Sequence, residues 1–97
     1  MATFITLGKF TAQGIGRIKD GPQRTEKAKE MARSLGGEMK GFYLTLGQYD
    51  FVAITELPDD ESAARFALQT GQLGNVSTET LRAFSEGEYK KLIGTLA

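Results

Sequence analysis

The sequence predicts an α+β fold, a ferredoxin-like βαββαβ sandwich followed by a C-terminal helix. Three observations predict it: a β-hairpin in the middle of the chain, an amphipathic helical segment on each side of that hairpin, and an outer strand beyond each helix. Right-handed βαβ halves in this order give one antiparallel sheet with both helices on one face. At 97 residues the chain has the length of a single domain, residues 1–97.

The strands are predicted from alternating side chains and from β-branched and aromatic residues. They cover residues 3–10, 38–46, 51–57 and 76–84, and the turn Gly47-Gln48-Tyr49-Asp50 closes the central hairpin. Residues 11–21 are expected to form a glycine-containing loop. Its Gly14-Ile15-Gly16 motif is not followed by Gly-Lys-Ser/Thr, so a flexible crossover is favoured over a phosphate-binding loop.

The helices are predicted from apolar stripes and from their end signals. The first covers residues 22–35, and the second starts after the capping residue Asp59 and ends at Gly71. A metal site is one interpretation of Asp59-Asp60-Glu61, but a helix start already accounts for these carboxylates. Ser85 and Glu88 fit a capping box, and the final helix should dock on an apolar surface through Tyr89, Leu92, Ile93 and Leu96.

The composition excludes several kinds of catalytic and metal site. The chain contains neither His nor Cys, which excludes a Ser–His–Asp triad, a Cys nucleophile, a Cys/His zinc site and a His-ligated haem. Any general acid or base must be Asp, Glu, Lys or Tyr. We therefore expect no metal and no cofactor.

The charge and hydropathy patterns limit the kinds of partner that we expect. Twelve basic and 12 acidic residues give a net charge of zero, so we expect neither nucleic acid nor an anionic membrane as a partner. No apolar run approaches the ~20 residues that span a bilayer, and the N-terminus lacks the features of a signal peptide. We expect a cytoplasmic location.

The alternation of side chains assigns residues to the two faces of the sheet. We expect the helices to cover the face of Ile5, Leu7, Phe42, Leu44, Val52 and Ile54. The uncovered face is then expected to carry Phe4, Thr6, Phe10, Met39, Tyr43, Thr45, Phe51, Ala53, Thr55, Thr78, Thr80, Arg82 and Phe84.

Aromatic rings on an uncovered face predict self-association. Half-exposed rings at these positions would form a patch of about 400–600 Å², at or above the upper end for a monomer. We expect a second copy to cover it in a symmetric homodimer or higher oligomer. The expected interface residues are Phe4, Phe10, Phe51 and Phe84.

Several short motifs occur along the chain: Thr11-Ala12-Gln13-Gly14-Ile15, Gly36-Gly37, Phe42-Tyr43, Gly47-Gln48-Tyr49-Asp50, Pro58-Asp59-Asp60 and residues 73–84, LGNVSTETLRAF. Together these motifs resemble the GYD domain family of small bacterial proteins, over nearly the whole chain. In one departure, Gln48 interrupts the Gly-Tyr-Asp triplet. The resemblance implies a ferredoxin-like fold of the dimeric α+β barrel group, which includes cofactor-free monooxygenases, isomerases, haem enzymes and amino-acid-sensing regulatory domains.

Polar side chains on the same expected face indicate a partly polar ligand pocket, although threonine is also simply a good strand former. Arg82 could bind a carboxylate or phosphate, or pair with Glu79 or Asp50 as a structural bridge. Tyr49 and Asp50 could orient a ligand or stabilise the turn. The candidate ligand-binding residues are Tyr43, Arg82, Thr6, Thr45, Thr80, Tyr49 and Asp50, with Thr78 as a further lining residue.

Three functions remain open from the sequence. The first is a homo-oligomeric module that binds a small molecule in a partly polar pocket over the uncovered face of the sheet. The second is a cofactor-independent enzyme of the monooxygenase or isomerase type, in which Tyr43, Asp50 or a Glu would carry acid–base work. The third is a purely structural self-assembly domain. No catalytic residue can be assigned.

Overall fold

Four antiparallel strands form one sheet in the computed structural model, which describes all residues, Met1–Ala97. The strands are β1 (Ala2–Phe10), β2 (Glu38–Leu44), β3 (Phe51–Leu57) and β4 (Val76–Ala83). Their order in the sheet is β2-β3-β1-β4, so β1 lies between β3 and β4. The strands, their order and the two crossover helices confirm the predicted ferredoxin-like α+β fold.

The helices are α1 (Ala12–Gly16), α2 (Gly21–Ser34), α3 (Asp60–Gln72) and α4 (Glu86–Gly94). Local capping determines where two of them begin. The Asp59 carboxylate accepts a hydrogen bond from the backbone N–H of Ser62 at 2.8 Å, and Ser85 and Glu88 form the predicted capping box. None of these helices combines the length and the apolar character that crossing a membrane requires.

The segment predicted as a loop, residues 11–21, contains α1 and a 3₁₀ turn, Ile18–Asp20. The Thr11 hydroxyl accepts a hydrogen bond from the Gly14 N–H at 3.1 Å and donates one to the Gly74 carbonyl at 2.6 Å. A side chain at Gly14 would collide with the Asn75 carbonyl. Glycine therefore permits the close approach that anchors this segment to the start of β4.

On β1, β3 and β4 the helices cover the opposite face of the sheet from the one predicted, whereas Phe42 and Leu44 of β2 lie on the helix side as predicted. Phe4 and Leu57 pack with Ala32, Ala63 and Phe66 in the core between sheet and helices. Because alternate residues of a strand share a face and paired residues share it across strands, the covered face also carries several residues expected on the uncovered one. These are Thr6, Phe10, Met39, Phe51, Ala53, Thr55, Thr78, Thr80 and Arg82.

The face assignment is wrong because both faces of the central strands are apolar. Ile5 and Leu7 suit a core as well as Phe4 does, so alternation alone does not identify the buried side. The core shows which side is buried: two of the three core residues on the helices are alanines, Ala32 and Ala63, and Phe4 of the sheet packs with them. Small helix residues and a large ring together fill the layer between helices and sheet.

The face that the helices leave uncovered is called the open face here. Its apolar side chains are Ile5, Leu7, Tyr43, Val52, Ile54 and Leu81. Ile5 pairs with Ile54 on one side and with Leu81 on the other, so these side chains form a continuous row across three strands. A second row on the same face runs from Tyr43 on β2 through Val52 on β3 to Leu7 on β1.

The C-terminal helix α4 makes no buried contact within the chain. None of its residues is buried, and the apolar side chains of its stripe stay exposed. The predicted docking of this helix on an apolar surface is therefore not made inside one chain. The exposed residues of the stripe are Tyr89, Leu92, Ile93 and Leu96.

Candidate functional site

A cavity of about 510 Å³ opens between the helices and the covered face of the sheet, and it is called the aromatic cavity here. It lies where β1 ends and β3 and β4 begin, below the start of α2 and the end of α3. Its rings are Phe10, Phe42 and Phe51, and its aliphatic lining is Ile18, Pro22, Leu44, Leu73 and Val76. Arg24, Thr25, Glu26, Thr70 and Asn75 supply the polar part of the lining.

Three phenylalanine rings form the floor of the aromatic cavity. The Phe51 ring is stacked on Phe42 with centroids 5.2 Å apart, and its centroid lies 5.6 Å from that of Phe10. Phe51 can lie across β1 only because residue 8 is glycine, since a side chain there would occupy the space of the Phe51 ring. Gly8 thus determines the shape of the floor.

The hairpin turn holds this floor in place. The Asp50 carboxylate accepts a hydrogen bond from the Phe10 N–H at 2.9 Å, and the Asp50 N–H donates to the Gly8 carbonyl at 2.8 Å. The Thr45 N–H donates to the Asp50 carbonyl, and the Thr45 hydroxyl donates to the Tyr49 carbonyl at 2.7 Å. Asp50 and Thr45, both predicted ligand residues, are engaged in joining the turn to β1.

Tyr49 lies beside side chains of the opposite, uncovered side of the sheet. Its hydroxyl donates to the Glu79 carboxylate at 3.3 Å, and the Lys9 ammonium lies 5.5 Å from its ring centroid. Desolvation and, after it, the Glu79 charge raise the pKa of Tyr49. A phenol with a raised pKa stays protonated at neutral pH, which suits a donor to Glu79.

A second, polar cavity of about 270 Å³ adjoins the aromatic cavity and is called the cationic cleft. No hydrophobic residue lines it. Arg24 and Asn75 line both cavities. The remaining residues of the cleft are Gln13, Arg17, Asp20, Gln23 and Lys27.

Hydrogen bonds to the backbone position the shared wall between the two cavities. The Arg24 guanidinium donates to the Gly14 carbonyl at 3.1 Å and to the Arg17 carbonyl at 3.3 Å. The Gln13 amide donates to the Asn75 side chain at 2.9 Å and to the Leu73 carbonyl at 3.1 Å. The glycine-containing segment is therefore a wall of the site, a role that its sequence did not suggest.

The structure does not bring the predicted ligand residues together. Tyr43 is 60% exposed on the open face, whereas Thr6 is buried on the covered face, and Thr80 is its exposed partner on β4. None of the predicted ligand residues lines the aromatic cavity. The large cavity of the single chain lies on the helix side of the sheet, and a pocket over the uncovered face stays a prediction.

Arg82 lies near the opposite end of the sheet from the aromatic cavity. Its guanidinium carbon lies 4.5 Å from the Phe84 ring centroid and 5.7 Å from that of Phe4. It donates to the carbonyl of Thr3 and to that of Ala83, and it forms no ion pair with Glu79 or Asp50. Arg82 thus packs along the start of β1.

The structure also places the predicted interface residues on different parts of the molecule. Phe4 and Phe51 are 4% and 7% exposed and contact the chain's own core and cavity floor, so placing them on an uncovered face is wrong. Phe10 faces the aromatic cavity. Phe84 follows β4 and remains 55% exposed, and its part in an interface stays a prediction.

The carboxylates at the start of α3 have local partners. Asp59 caps the helix, and Glu61 pairs with Arg65 at 2.7 Å. No cluster of acidic side chains with the geometry of a metal site occurs in the structure. These contacts support the capping interpretation over the metal interpretation.

Sequence reasoning missed most of the cavity lining. Ile18 and Leu73 are the residues from which the cavity could have been predicted. Both are large apolar residues that lie outside the helical stripes and next to glycine-containing turns. Both are exposed, at 41% and 56%. Together with the phenylalanine rings they form one contiguous apolar surface, which is typical of ligand-binding grooves and interfaces.

Comparison with known proteins gives a consistent result. The sequence model of the GYD domain matches residues 4–93. A Thermus thermophilus protein, described as "Glutamine synthetase and cystathionine beta-lyase binding protein", is 36% identical over 84 residues, which cover 86% of this chain and 88% of that protein.

Two solved structures share the fold. The crystal structure of TTHA0845 from Thermus thermophilus has a TM-score of 0.56 and 28% identity, covering 88% of this chain and 95% of that one. The crystal structure of FFRP-DM1 has a TM-score of 0.62, covering 87% of this chain and 100% of that one; at 21% identity it shows the fold alone.

Proposed function

Because this chain belongs to the GYD domain family, we propose that it is a self-associating binding module that holds a small molecule in the aromatic cavity. The observation that carries the proposal is the cavity itself. Its volume of about 510 Å³ falls within the ~300–1,000 Å³ typical of small-molecule sites. Its lining combines a floor of stacked rings with a few polar groups at the edge.

The exposure of the lining supports binding of an apolar group. Phe42, Leu44 and Leu73 are 37%, 71% and 56% exposed, although all three line the same concave surface. Each apolar Å² that a ligand removes from water contributes about 25 cal/mol. The gain is concentrated here because the rings already stack and need no rearrangement to form the floor.

The cavity favours binding over catalysis. Its single carboxylate, Glu26, is exposed and pairs with Lys29 at 3.2 Å. Asp50 is engaged by the Phe10 N–H, and Tyr43 lies on the open face. A cofactor-independent oxygenase or isomerase needs an acid or base beside the reacting atom, and the described contacts supply no such group.

A neutral hydrophobic dye tests this proposal. We expect N-phenyl-1-naphthylamine to bind saturably with one site per chain, measured by its fluorescence. Leu44→Trp should abolish this binding by filling the cavity, while Leu46→Trp serves as the control because Leu46 is 98% exposed and does not line it. Absence of saturable binding, or equal binding by both variants, would overturn the proposal.

Two apolar surfaces support self-association. The open face presents a row of aliphatic side chains with no helix over it, and α4 presents an amphipathic stripe without a partner. Only 11 of the 97 residues are buried within the chain, so its own core is thin for its size. We propose that a second copy of the chain covers the open face. The apolar stripe of α4 in each chain then packs against the other chain.

Size-exclusion chromatography with light scattering tests the assembly. We expect a mass above the 10.6 kDa of one chain, and a shift towards that mass in Ile54→Lys and in Leu92→Lys. Leu68→Lys is the matched control because Leu68 is equally apolar, 71% exposed, and lies on α3 away from both surfaces. A wild-type monomer at micromolar concentration would refute self-association.

A second candidate function is binding of metabolic enzymes. The 36% identical Thermus relative is described as a binding protein for glutamine synthetase and cystathionine beta-lyase, and we propose that this chain binds the equivalent enzymes of its own organism. Purified enzymes and immobilised chain in surface plasmon resonance test this. Saturable binding of either enzyme, without binding of an unrelated dehydrogenase, is expected; responses equal to the dehydrogenase would reject it.

A further inference from the structure

We propose that the small molecule is an amphipathic anion, with its apolar body in the aromatic cavity and a carboxylate or phosphate head in the cationic cleft. This inference rests on the proposed function and specifies the chemistry of the ligand. It follows from the contact between two cavities of opposite character.

The two cavities are direct neighbours. They share Arg24 and Asn75, whose side chains form the boundary between them. One side has a floor of stacked phenyl rings, whereas no hydrophobic residue lines the other. A molecule occupying both must therefore change from apolar to polar along its length.

The sign of the charge in the cleft identifies the polar end. Arg17, Arg24 and Lys27 line it, opposed by the single carboxylate of Asp20. None of these four side chains forms an ion pair within the chain. The chain as a whole has zero net charge, so the positive charge of the cleft is a local excess. The concentration of unpaired cations in one concave place favours an anionic head over a neutral or cationic one.

Arg24 is the residue that joins the two parts. Its guanidinium has five N–H donors, of which one on each terminal nitrogen donates to the Gly14 and Arg17 carbonyls. These bonds hold the group at the boundary between the cavities and leave further donors for a ligand. A fixed guanidinium loses little side-chain entropy on binding an oxyanion, since it is already ordered.

Ligands with the same chain and different heads test the charge preference. Decanoate, decyl phosphate, decanol and decylamine are titrated into the wild-type protein by isothermal titration calorimetry at low salt. We expect at least one of the two anions to bind about tenfold or more tightly than decanol, and decylamine to bind most weakly. The comparison of decanoate with decyl phosphate identifies which head the cleft prefers.

Charge removal in the cleft provides the second arm. Arg17→Gln/Lys27→Gln removes two exposed cations without touching the Arg24 hydrogen bonds, and we expect about a five- to tenfold loss in affinity for the anions only. Arg33→Gln is the control, since Arg33 lies on α2 outside both cavities. Circular dichroism melting confirms that each variant remains folded.

The outcomes separate this inference from the proposed function. If decanol binds as tightly as both anions and Leu44→Trp abolishes all binding, the cavity binds small molecules but the anion preference is wrong. Equal losses in Arg33→Gln and in the double variant would also overturn the inference. If neither the naphthylamine dye nor any decyl compound binds, both proposals fail.

Discussion

The carboxylate of Asp50 accepts a hydrogen bond from the backbone N–H of Phe10 at 2.9 Å, across 40 positions of sequence. The β1–β3 ladder ends at the pair Gly8 and Phe51, so this side-chain bond continues the pairing by one more step. It also holds Phe10 at the edge of the aromatic cavity. This contact of Asp50 supports the interpretation that the turn residue stabilises the structure, and a ligand-binding part for Tyr49 stays a prediction.

Removal of that acceptor should loosen the end of the sheet. We expect Asp50→Ala to lower the free energy of unfolding by about 1–3 kcal/mol, because the Phe10 N–H loses its partner in a part-buried position. Urea unfolding followed by circular dichroism measures this. Asp60→Ala is the control, since Asp60 lies in the exposed first turn of α3. An equal loss in the control would contradict the structural role of Asp50.

The cavity floor depends on the absence of a side chain at Gly8. We expect Gly8→Ala to displace the Phe51 ring, to lower the free energy of unfolding by about 1–3 kcal/mol and to weaken binding of the naphthylamine dye. Gly71→Ala should instead be neutral or stabilising by about 0.5–1 kcal/mol, because Gly71 is helical and a side chain there meets open space. Unaltered dye binding by a folded Gly8→Ala protein would count against this account of the floor.

The Thr55 hydroxyl is the one buried side-chain polar atom without a hydrogen-bond partner. Thr55 is 1% exposed, and it faces Phe4 across the β1–β3 ladder. Thr55→Val keeps the shape and removes the unsatisfied group, so we expect the free energy of unfolding to rise by about 1 kcal/mol. Thr70→Val should give no such gain, because the Thr70 hydroxyl donates to the Phe66 carbonyl at 2.9 Å. A destabilised Thr55→Val protein would show that the hydroxyl has a partner in solution.

The cap of α3 predicts how stability depends on acidity. Hydrogen bonds from the Ser62 backbone N–H and, after it, the Ser62 side chain lower the pKa of Asp59 below its ordinary value of 3.8. A lowered folded-state pKa adds stability that is complete above the ordinary pKa and is lost as the pH falls through the folded-state value. We expect the urea midpoint to fall with acidity below about pH 4, and to fall less steeply in Asp59→Asn. A slope as steep in Asp59→Asn as in the wild type would contradict this; Asp60→Asn should keep the wild-type slope.

Local signals in the sequence were sufficient for the four strands and for α2, α3 and α4. Asp59 and Ser85 carry their capping function in their own side chains, and the strands show their period of two directly. The predicted β3 agrees with the structure at both ends, and the remaining strands differ by one or two residues. The segment 11–21 was predicted as a loop because its glycines suggested flexibility, whereas Thr11 caps a short helix there.

The faces of the sheet and the cavity depend on tertiary packing, which alternation does not contain. Phe4 and Ile5 are both plausible core residues, and the packing of Phe4 against Ala32 and Ala63 exists only in the folded chain. The cavity combines side chains from strands, helix ends and turns that are far apart in sequence. Patterns within single elements therefore point to Tyr43 and Arg82, which lie outside the aromatic cavity.

The aromatic cavity draws its walls from both βαβ halves of the chain: Ile18 and Pro22 belong to the first crossover, and Thr70 and Leu73 to the second. A small molecule bound in this cavity would contact both βαβ halves, which otherwise contact each other mainly through the sheet. Binding of that molecule would then slow amide hydrogen exchange both at the end of α3 and at the beginning of α2. Local unfolding of one crossover would thereby be coupled to local unfolding of the other.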